Sequence, residues 1–428
     1  MLLERLDERK FAHPGAVEFA GDFNPEGSKN PVLALWQAAV SGMERLAADG
    51  TGDSSKMSTK FAARAGAASL AAVLAAPAVA GPTYTTDNGG SFRWYGQFNP
   101  SFQSFDDGQE DFNRLVDNEA SNSRIGFWLE QSYGENTLRF NFETAFGFRS
   151  SDGVSQLTTG DNVSWDRTNI RHVDFQFDTA RYGRFSAGQG SMATDGITGA
   201  DFSGTGLGAS NSVADSAGGY AFRTSGGALS SVDIGDAFTD LDGSRLGRIR
   251  YDSPDFAGFT FSTSYGTDIL RDANDRESYD VAVRWANDDA AGFAIDTGIG
   301  ASWTEETGEA DRRDISGSFA VLHKATGLSL NVAAGERDIA GTYAYAKLGY
   351  KADLIAAGST AFSVDYYDGS DMVTAGDSAE SWGVAAVQKI DSLNVETYLA
   401  YRDYSYADTS ATTYQDANVI LAGARWKF

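Results

Sequence analysis

Charged residues recur at alternate positions in several short segments: Arg124, Arg139, Arg248, Arg250, Arg284, Arg425 and Lys427, with Glu130, Glu143 and Asp365. Extended chain sends successive side chains to opposite faces. Arg124 therefore lies opposite Ile125 and Phe127, Arg139 opposite Phe140 and Phe142, and Arg250 opposite Ile249 and Tyr251. Guanidiniums and carboxylates spread in this way form an electrostatic surface for ions and polar solutes. They do not form an acid-base centre, because no nucleophile is placed near a base. His172 and Asp174 share a face, the minimum for a His-Asp couple, yet nothing marks a partner serine. His13, His172 and His323 lie too far apart for zinc-ligand spacing. Cysteine is absent, which removes disulfides and thiolate chemistry. GTGLG at 204–208 follows no strand-to-helix pattern, so it does not read as a phosphate loop. No metal or cofactor is expected.

The elements that carry these charges must be short strands. Glycine is abundant at 48, proline scarce at 7, and aromatics reach 12% of the 428 residues, a composition suited to strands and turns. A formal charge of −25 argues against binding nucleic acid. Met57–Ala80 has a basic start (Lys60, Arg64), a short Ala/Leu/Val run and a small-residue A-V-A end, the pattern of a secretory signal. Its apolar run is too short and weak for a spanning helix, which needs about 20 residues. Residues 57–80 are therefore expected to be a cleaved signal and 81–428 the mature domain. Residues 1–56 then precede the true start as an artefact, or form a small helical extension around PVLALWQAAVSGMERLAA.

Beyond residue 80 no apolar run is long enough for a transmembrane helix, and period-2 segments recur instead. NTLRFNFETAFGF sets Leu138, Phe140, Phe142, Phe146 and Phe148 against Arg139, Asn141 and Glu143; RESYDVAVRWAND sets Tyr279, Val281, Val283 and Trp285 against Asp280, Ala282 and Arg284. Sixteen strands are expected, near 91–105, 122–133, 136–148, 166–178, 181–189, 244–253, 257–267, 276–287, 291–304, 311–323, 327–336, 341–351, 358–368, 378–389, 392–404 and 415–428; merging one pair would leave fourteen. A two-layer sandwich shares the alternation. The connections separate the two folds. Short ones (SPDFAG, NDDAAG, HKATG, KIDS) alternate with long acidic ones (GTDILRDANDRES, WTEETGEADRRD), as in an up-and-down membrane barrel. The charged faces decide likewise: they would be costly in a dry core but are tolerable against a water-filled channel, leaving the apolar faces to lipid. The expected fold is an all-β transmembrane antiparallel barrel. One connection, residues 190–243, is far longer than the rest and rich in Gly, Ser, Ala and Asp. Loops of that length are usually functional.

Four segments resemble the Gram-negative trimeric porins of the general-diffusion, alphaproteobacterial type: SFRWYGQFNPSF, NSRIGFWLEQ, RIRYDSPDFAGFTFSTSYG and the terminal GARWKF. The resemblance spans about residues 90–428. It implies sixteen strands, a homotrimer, and a third external loop that folds into the lumen, where basic wall residues face acidic loop residues. The long connection takes that loop's place. Carried over, the resemblance makes Arg124, Arg139 and Arg250 wall residues, with Arg248 and Glu143 on the same faces. It leaves open which of Asp195, Asp201, Asp215, Asp233 and Asp236 reaches the constriction. Two positions depart from the family pattern. Gln189 stands where an arginine is common, and Arg171 shares parity with Val173 and Phe175, which puts it at the strand's edge instead of in the lumen.

The resulting expectation is an outer-membrane channel for passive diffusion of small hydrophilic solutes and ions. A sugar-specific channel is the alternative, with Trp128, Tyr343 and Tyr345 as a slide, and a barrel enzyme using His172 is a more remote one. Net charge leans toward cations, although the constriction decides. Expected partners are outer-membrane lipid, lipopolysaccharide, two further copies of the chain, and the assembly machinery that reads the last strand. In that strand Trp426 and Phe428 face lipid as part of an aromatic girdle, with Arg425 and Lys427 toward water. N-terminal sequencing of the exported protein is expected to begin near Gly81, and a start anywhere else would overturn the signal reading.

Overall fold

Apolar and polar residues that alternate along a chain favour antiparallel ladders with unlike faces, and the computed structural model is built almost wholly of them. It describes residues 83–160, 162–272 and 274–428. The expected signal at 57–80 and the segment 1–56 lie outside the described residues. The strands are β1 (Thr83–Thr85), β2 (Gly90–Phe98), β3 (Pro100–Asp106), β4 (Asp111–Asp117), β5 (Arg124–Tyr133), β6 (Asn136–Ala145), β7 (Ile170–Thr179), β8 (Gly183–Ser191), β9 (Ala221–Arg223), β10 (Leu229–Asp233), β11 (Arg245–Asp252), β12 (Phe259–Thr267), β13 (Glu277–Ala290), β14 (Phe293–Glu305), β15 (Arg312–His323), β16 (Leu328–Arg337), β17 (Ala340–Ile355), β18 (Gly358–Ser370), β19 (Ser378–Ile390), β20 (Val395–Ala407) and β21 (Ala417–Lys427).

All but β9 and β10 belong to one sheet, and it closes. β2 runs into β3 across Asn99, and β4 into β5 across a 3-10 turn at Glu119–Ser121, so these pairs each act as one staff of a 16-strand antiparallel barrel. Every later staff pairs with its neighbours in sequence, from β5 with β6 through β20 with β21. The expected sixteen strands are thus present. The second staff starts earlier than expected, at Asp111, because the polar DNEAS run interrupts it without ending it. The short turns take the backbone that tight hairpins require: Ala291 and Gly292 between β13 and β14 both have positive φ (56° and 91°).

The seam is made by the last residues. β21 pairs with β3 from Asn418↔Asp106 to Gly423↔Ser101, then with β2 at Phe98↔Trp426 and Gln97↔Lys427. The Phe428 amide donates to the Gly96 carbonyl at 3.0 Å, and the Gly96 amide donates to the Phe428 carbonyl at 2.9 Å. The rings of Trp426 and Phe428 lie with centroids 5.1 Å apart and planes tilted by 45°.

The two faces differ as the pattern requires. Ile249, Ile299 and Leu348 point outward, each at least 60% exposed, while Ser262, Ser264, Asp280 and Asp365 on the inward faces are buried. The inward face is not polar all round. On β3, β17, β18, β20 and β21 it carries Phe105, Tyr343, Tyr345, Tyr367, Tyr404, Tyr406, Val419 and Leu421, which cluster with Leu207, Val213, Tyr220, Phe222, Ile234, Phe238 and Leu241 of the long connection between β8 and β11. That connection includes the hairpin β9–β10 and a single-turn helix, α1 (Ile234–Ala237). Its backbone is tied to inward side chains around the wall. Ser318 Oγ donates to the Ile197 carbonyl (2.6 Å), Tyr404 OH to Val213 (2.7 Å), Gln103 Nε2 to Ser216 (2.6 Å) and Tyr367 OH to Thr239 (2.7 Å).

A side chain at Gly96 has no space, since its Cβ would stand 2.6 Å from the Phe428 ring and 2.8 Å from the Arg124 carbonyl oxygen. Gly96→Val is expected to destabilise the closed barrel by about 1–3 kcal/mol, read as a lower temperature for loss of compact gel mobility. Adding Phe428→Ala should recover part of that loss by vacating the ring's place, and an unchanged transition in Gly96→Val would refute the seam contact.

Candidate functional site

The charged residues of the inner wall sort into groups according to where their strands begin. β5 starts at Arg124 just after the turn at Glu119–Ser121. Its Nε lies 3.4 Å from Glu143 Oε2, and its Nη1 donates to the Asn122 carbonyl at 3.2 Å. Arg171 donates from Nε to the other oxygen of Glu143 at 2.6 Å. Arg171 is therefore inside the barrel, contrary to its sequence parity. The cause is a register shift between β6 and β7: Glu143 pairs with His172 and Thr144 with Ile170, so Arg171 is the extra residue of a bulge. A bulge re-aims one side chain without altering the alternation on either side of it.

At the root of the long connection Arg250 donates to the Met192 carbonyl (2.6 Å) and pairs with Asp252 at 2.7 Å. Arg284 donates to the carbonyls of Gly196 and Asp195, both at 3.0 Å. Arg248 is buried and bound to the fully buried Asp174 at 2.9 Å, so it holds the wall together and does not line open space. Asp174 also lies 3.7 Å from His172 Nδ1, which places the His-Asp couple within this ion pair. Arg139 sits three residues from the β5–β6 turn among Glu130, Asp178 and Arg184, and its described partners all belong to the wall.

The acids of the long connection divide similarly. Asp195 lies 3.7 Å from Arg245, and although burial opposes ionisation, Arg245 holds its carboxyl below the usual range. Asp201 is bound by Lys347 Nζ at 2.7 Å. There too burial opposes the charge, and the Lys347 ammonium prevails. Asp233 caps α1, accepting from the Asp236 amide at 2.8 Å, and Asp236 itself is exposed. Asp215 accepts from Ser210 Oγ at 3.2 Å, and burial beside Glu119, Asp152 and Asp240 pushes its carboxyl far up. Asp242 accepts the amides of Gly196 (2.7 Å) and Thr198 (3.2 Å). Burial, followed by the nearby Asp240 and Asp195, pushes it up to about 7.

The aromatic slide is not assembled. Tyr343 and Tyr345 are each only 4% exposed, lying in the cluster beneath the long connection, and Trp128 is on β5. Arg425 and Lys427 both reach Glu396, the latter at 3.6 Å. Sequence reasoning missed Glu119, Asp152, Arg245, Asp240, Asp242 and Lys347, and it put Arg171 at the strand's edge. The D-L-D spacing at 240–242 was visible, whereas the bulge at Arg171 left no sequence signal.

Two outcomes are expected. Asp242 is protonated below about 7 and ionised above it, so raising the pH from about 6 to about 8 adds negative charge beside Asp240. Relative cation permeability should therefore rise over that range and cease to do so in Asp242→Asn. Lys347 Nζ also donates to the Ala209 carbonyl at 2.7 Å, so Lys347→Met releases two anchors of the connection and leaves Asp201 unpaired. Single-channel records of that variant should show added current noise, and Lys347→Met with Asp201→Asn should show less.

The sequence matches the Gram-negative porin family over residues 66–409. No curated protein sequence matches it. Among solved structures, the fold is similar to the anion-selective porin from Comamonas acidovorans (TM-score 0.54, 16% identity, 79% of this chain and 100% of that one). It is likewise similar to Salmonella typhi OmpF in complex with daunomycin (0.53, 14%, 81% and 100%) and to Pseudomonas putida OprB (0.54, 9%, 79% and 94%). At these identities the likeness is one of fold. With the family match over most of its length and a closed barrel whose charges face inward, the chain belongs to the Gram-negative porins and forms a diffusion channel of the outer membrane.

Proposed function

We propose that this porin passes small hydrophilic solutes and ions passively, through a lumen narrowed by the connection between β8 and β11. The observation that carries this is the belt of bonds from inward side chains on β3, β15, β18 and β20 to that connection's backbone. Arg245 and Arg171 stand within electrostatic reach of the ionised Asp195. Opposed charges across a narrow aqueous gap set up a transverse field in which polar solutes can align. Arg124, Arg250 and Glu143 belong to this wall, and Asp195 to the connection. Asp201 and Asp233 serve as an anchor and a helix cap, and Arg139 and Arg248 hold neighbouring strands. General diffusion is favoured over a sugar-specific route because Tyr343 and Tyr345 are covered. A channel is favoured over an enzyme because Asp174, the only partner of His172 in the expected couple, is engaged by Arg248.

A homotrimer is supported by a patch of outward aromatics on β2, β5, β6 and β7. Phe92, Trp94, Phe127, Phe140, Phe142 and Phe175 touch one another in sequence with centroids 4.9–6.1 Å apart. The remaining outward surface, rich in Val, Ile and Leu, suits lipid. Lipopolysaccharide would meet the long-loop end, and the assembly machinery would read the strand ending at Phe428.

Purified protein should give stable ohmic steps in planar bilayers, and His172→Ala should leave them unchanged. Removing residues 205–241 should raise the step size about twofold or more if the connection narrows the lumen; equal steps would refute that. Trp94→Ala with Phe127→Ala should weaken a gel-stable trimer.

A further inference from the structure

Five guanidiniums follow one another from the long-loop end of the wall toward its middle. Arg312 and Arg276 stand at the heads of β15 and β13, Arg245 at the head of β11, Arg171 in the bulge of β7 and Arg124 at the head of β5. Arg276 Nη2 donates to Ser244 Oγ at 3.3 Å, which sets it beside the residue preceding Arg245. Arg312 feels the charge of Arg276, and Arg124 feels those of Arg171, Arg245 and, further down, Arg425.

Carboxylates are too few to neutralise this row. Arg124 and Arg171 share the single carboxylate of Glu143, at 3.4 and 2.6 Å. Arg312 and Arg337 share Asp314, at 3.9 and 2.7 Å. Among the described residues Arg245 has only Asp195 within salt-bridge distance, at 3.7 Å. Arg276 has no carboxylate within salt-bridge distance among the described residues, and Glu306 and Asp268 reach it only through longer-range attraction. The side chains of Arg124, Arg171, Arg245 and Arg312 remain 20–34% exposed. A row of guanidiniums in partial contact with water, sharing carboxylates, retains positive charge, and its planar forks match oxyanions. One nearby acid of the connection is weakened: burial, then the neighbouring Glu119, Asp152 and Asp240, disfavours the charged form of Asp215.

We propose that the channel favours small anions over cations and moves oxyanions, carboxylates and phosphates, along Arg312, Arg276, Arg245, Arg171 and Arg124. This rests on the diffusion-channel reading and reverses the cation preference that net charge suggests. Charge beside the path outweighs that of the external loops, which salt screens within about 8 Å.

The test uses the purified full-length protein in planar bilayers under a potassium chloride gradient. Chloride should permeate more readily than potassium. Arg276→Gln with Arg312→Gln, both at strand heads, should lower that ratio at least about twofold, with folding checked by gel mobility. Inorganic phosphate should reduce chloride current through the wild type more than through the double variant. Potassium preference in the wild type, or an unchanged ratio in the variant, overturns the proposal while leaving the channel intact. An equal effect of phosphate on both overturns the oxyanion track. Absence of conductance overturns the channel reading and this one together.

Discussion

Backbone hydrogen bonding at the seam is the constraint on which the rest depends. A strand edge exposed to lipid leaves peptide groups without partners, at a cost of several kcal/mol for each group. Only closure removes both edges. Here closure falls to β21, which pairs first with β3 and then, past the break at Asn99, with β2. Gly96 is small enough for the Phe428 ring to lie on it, and the reciprocal backbone bonds between the two residues complete the ladder. Once the edge is gone, inward and outward faces acquire separate solvents, and the alternation along each strand takes effect.

The inward face then divides its work. On one side of the lumen a layer of tyrosines and aliphatic residues receives the long connection as a hydrophobic core would. Their hydroxyls and nearby polar groups hold its carbonyls, as Tyr367 does for Thr239 and Lys347 does for Ala209. The other side keeps the guanidiniums of Arg124, Arg171 and Arg245 in partial contact with water, whereas beneath the connection the charges form buried pairs. Arg402 spans from β20 to the buried Asp365 on β18 at 2.7 Å, over Gly383. Such a pair contributes little net stability but is costly to break, so it specifies how the wall beneath the connection is arranged. The apolar half thus positions the segment, and the polar half meets whatever passes.

Much of this was legible in advance. Sixteen strands, the closing role of GARWKF, the inward aim of Arg124 and Arg250 and the long connection all follow from period-2 alternation and loop length, because those patterns are local. What failed to show locally was anything that depends on a break in the pattern. DNEAS hid the first half of the second staff, and the bulge between Glu143 and Thr144 turned Arg171 inward. Tyr343 and Tyr345 read as pore aromatics because parity identifies a face but not what covers it.

The sequence by itself determined the fold class and the direction of each regular face, since alternating hydrophobicity with charged faces and alternating short and long connections suits a barrel that meets both water and lipid, while four motifs carried the resemblance to the family. Only the tertiary structure decided which charges meet. Glu143 serving two arginines, Asp201 being claimed by Lys347, and Asp215 standing among other acids depend on contacts between residues far apart in the chain. Electrostatic energy depends on distance in space, and spacing along the chain does not fix that distance.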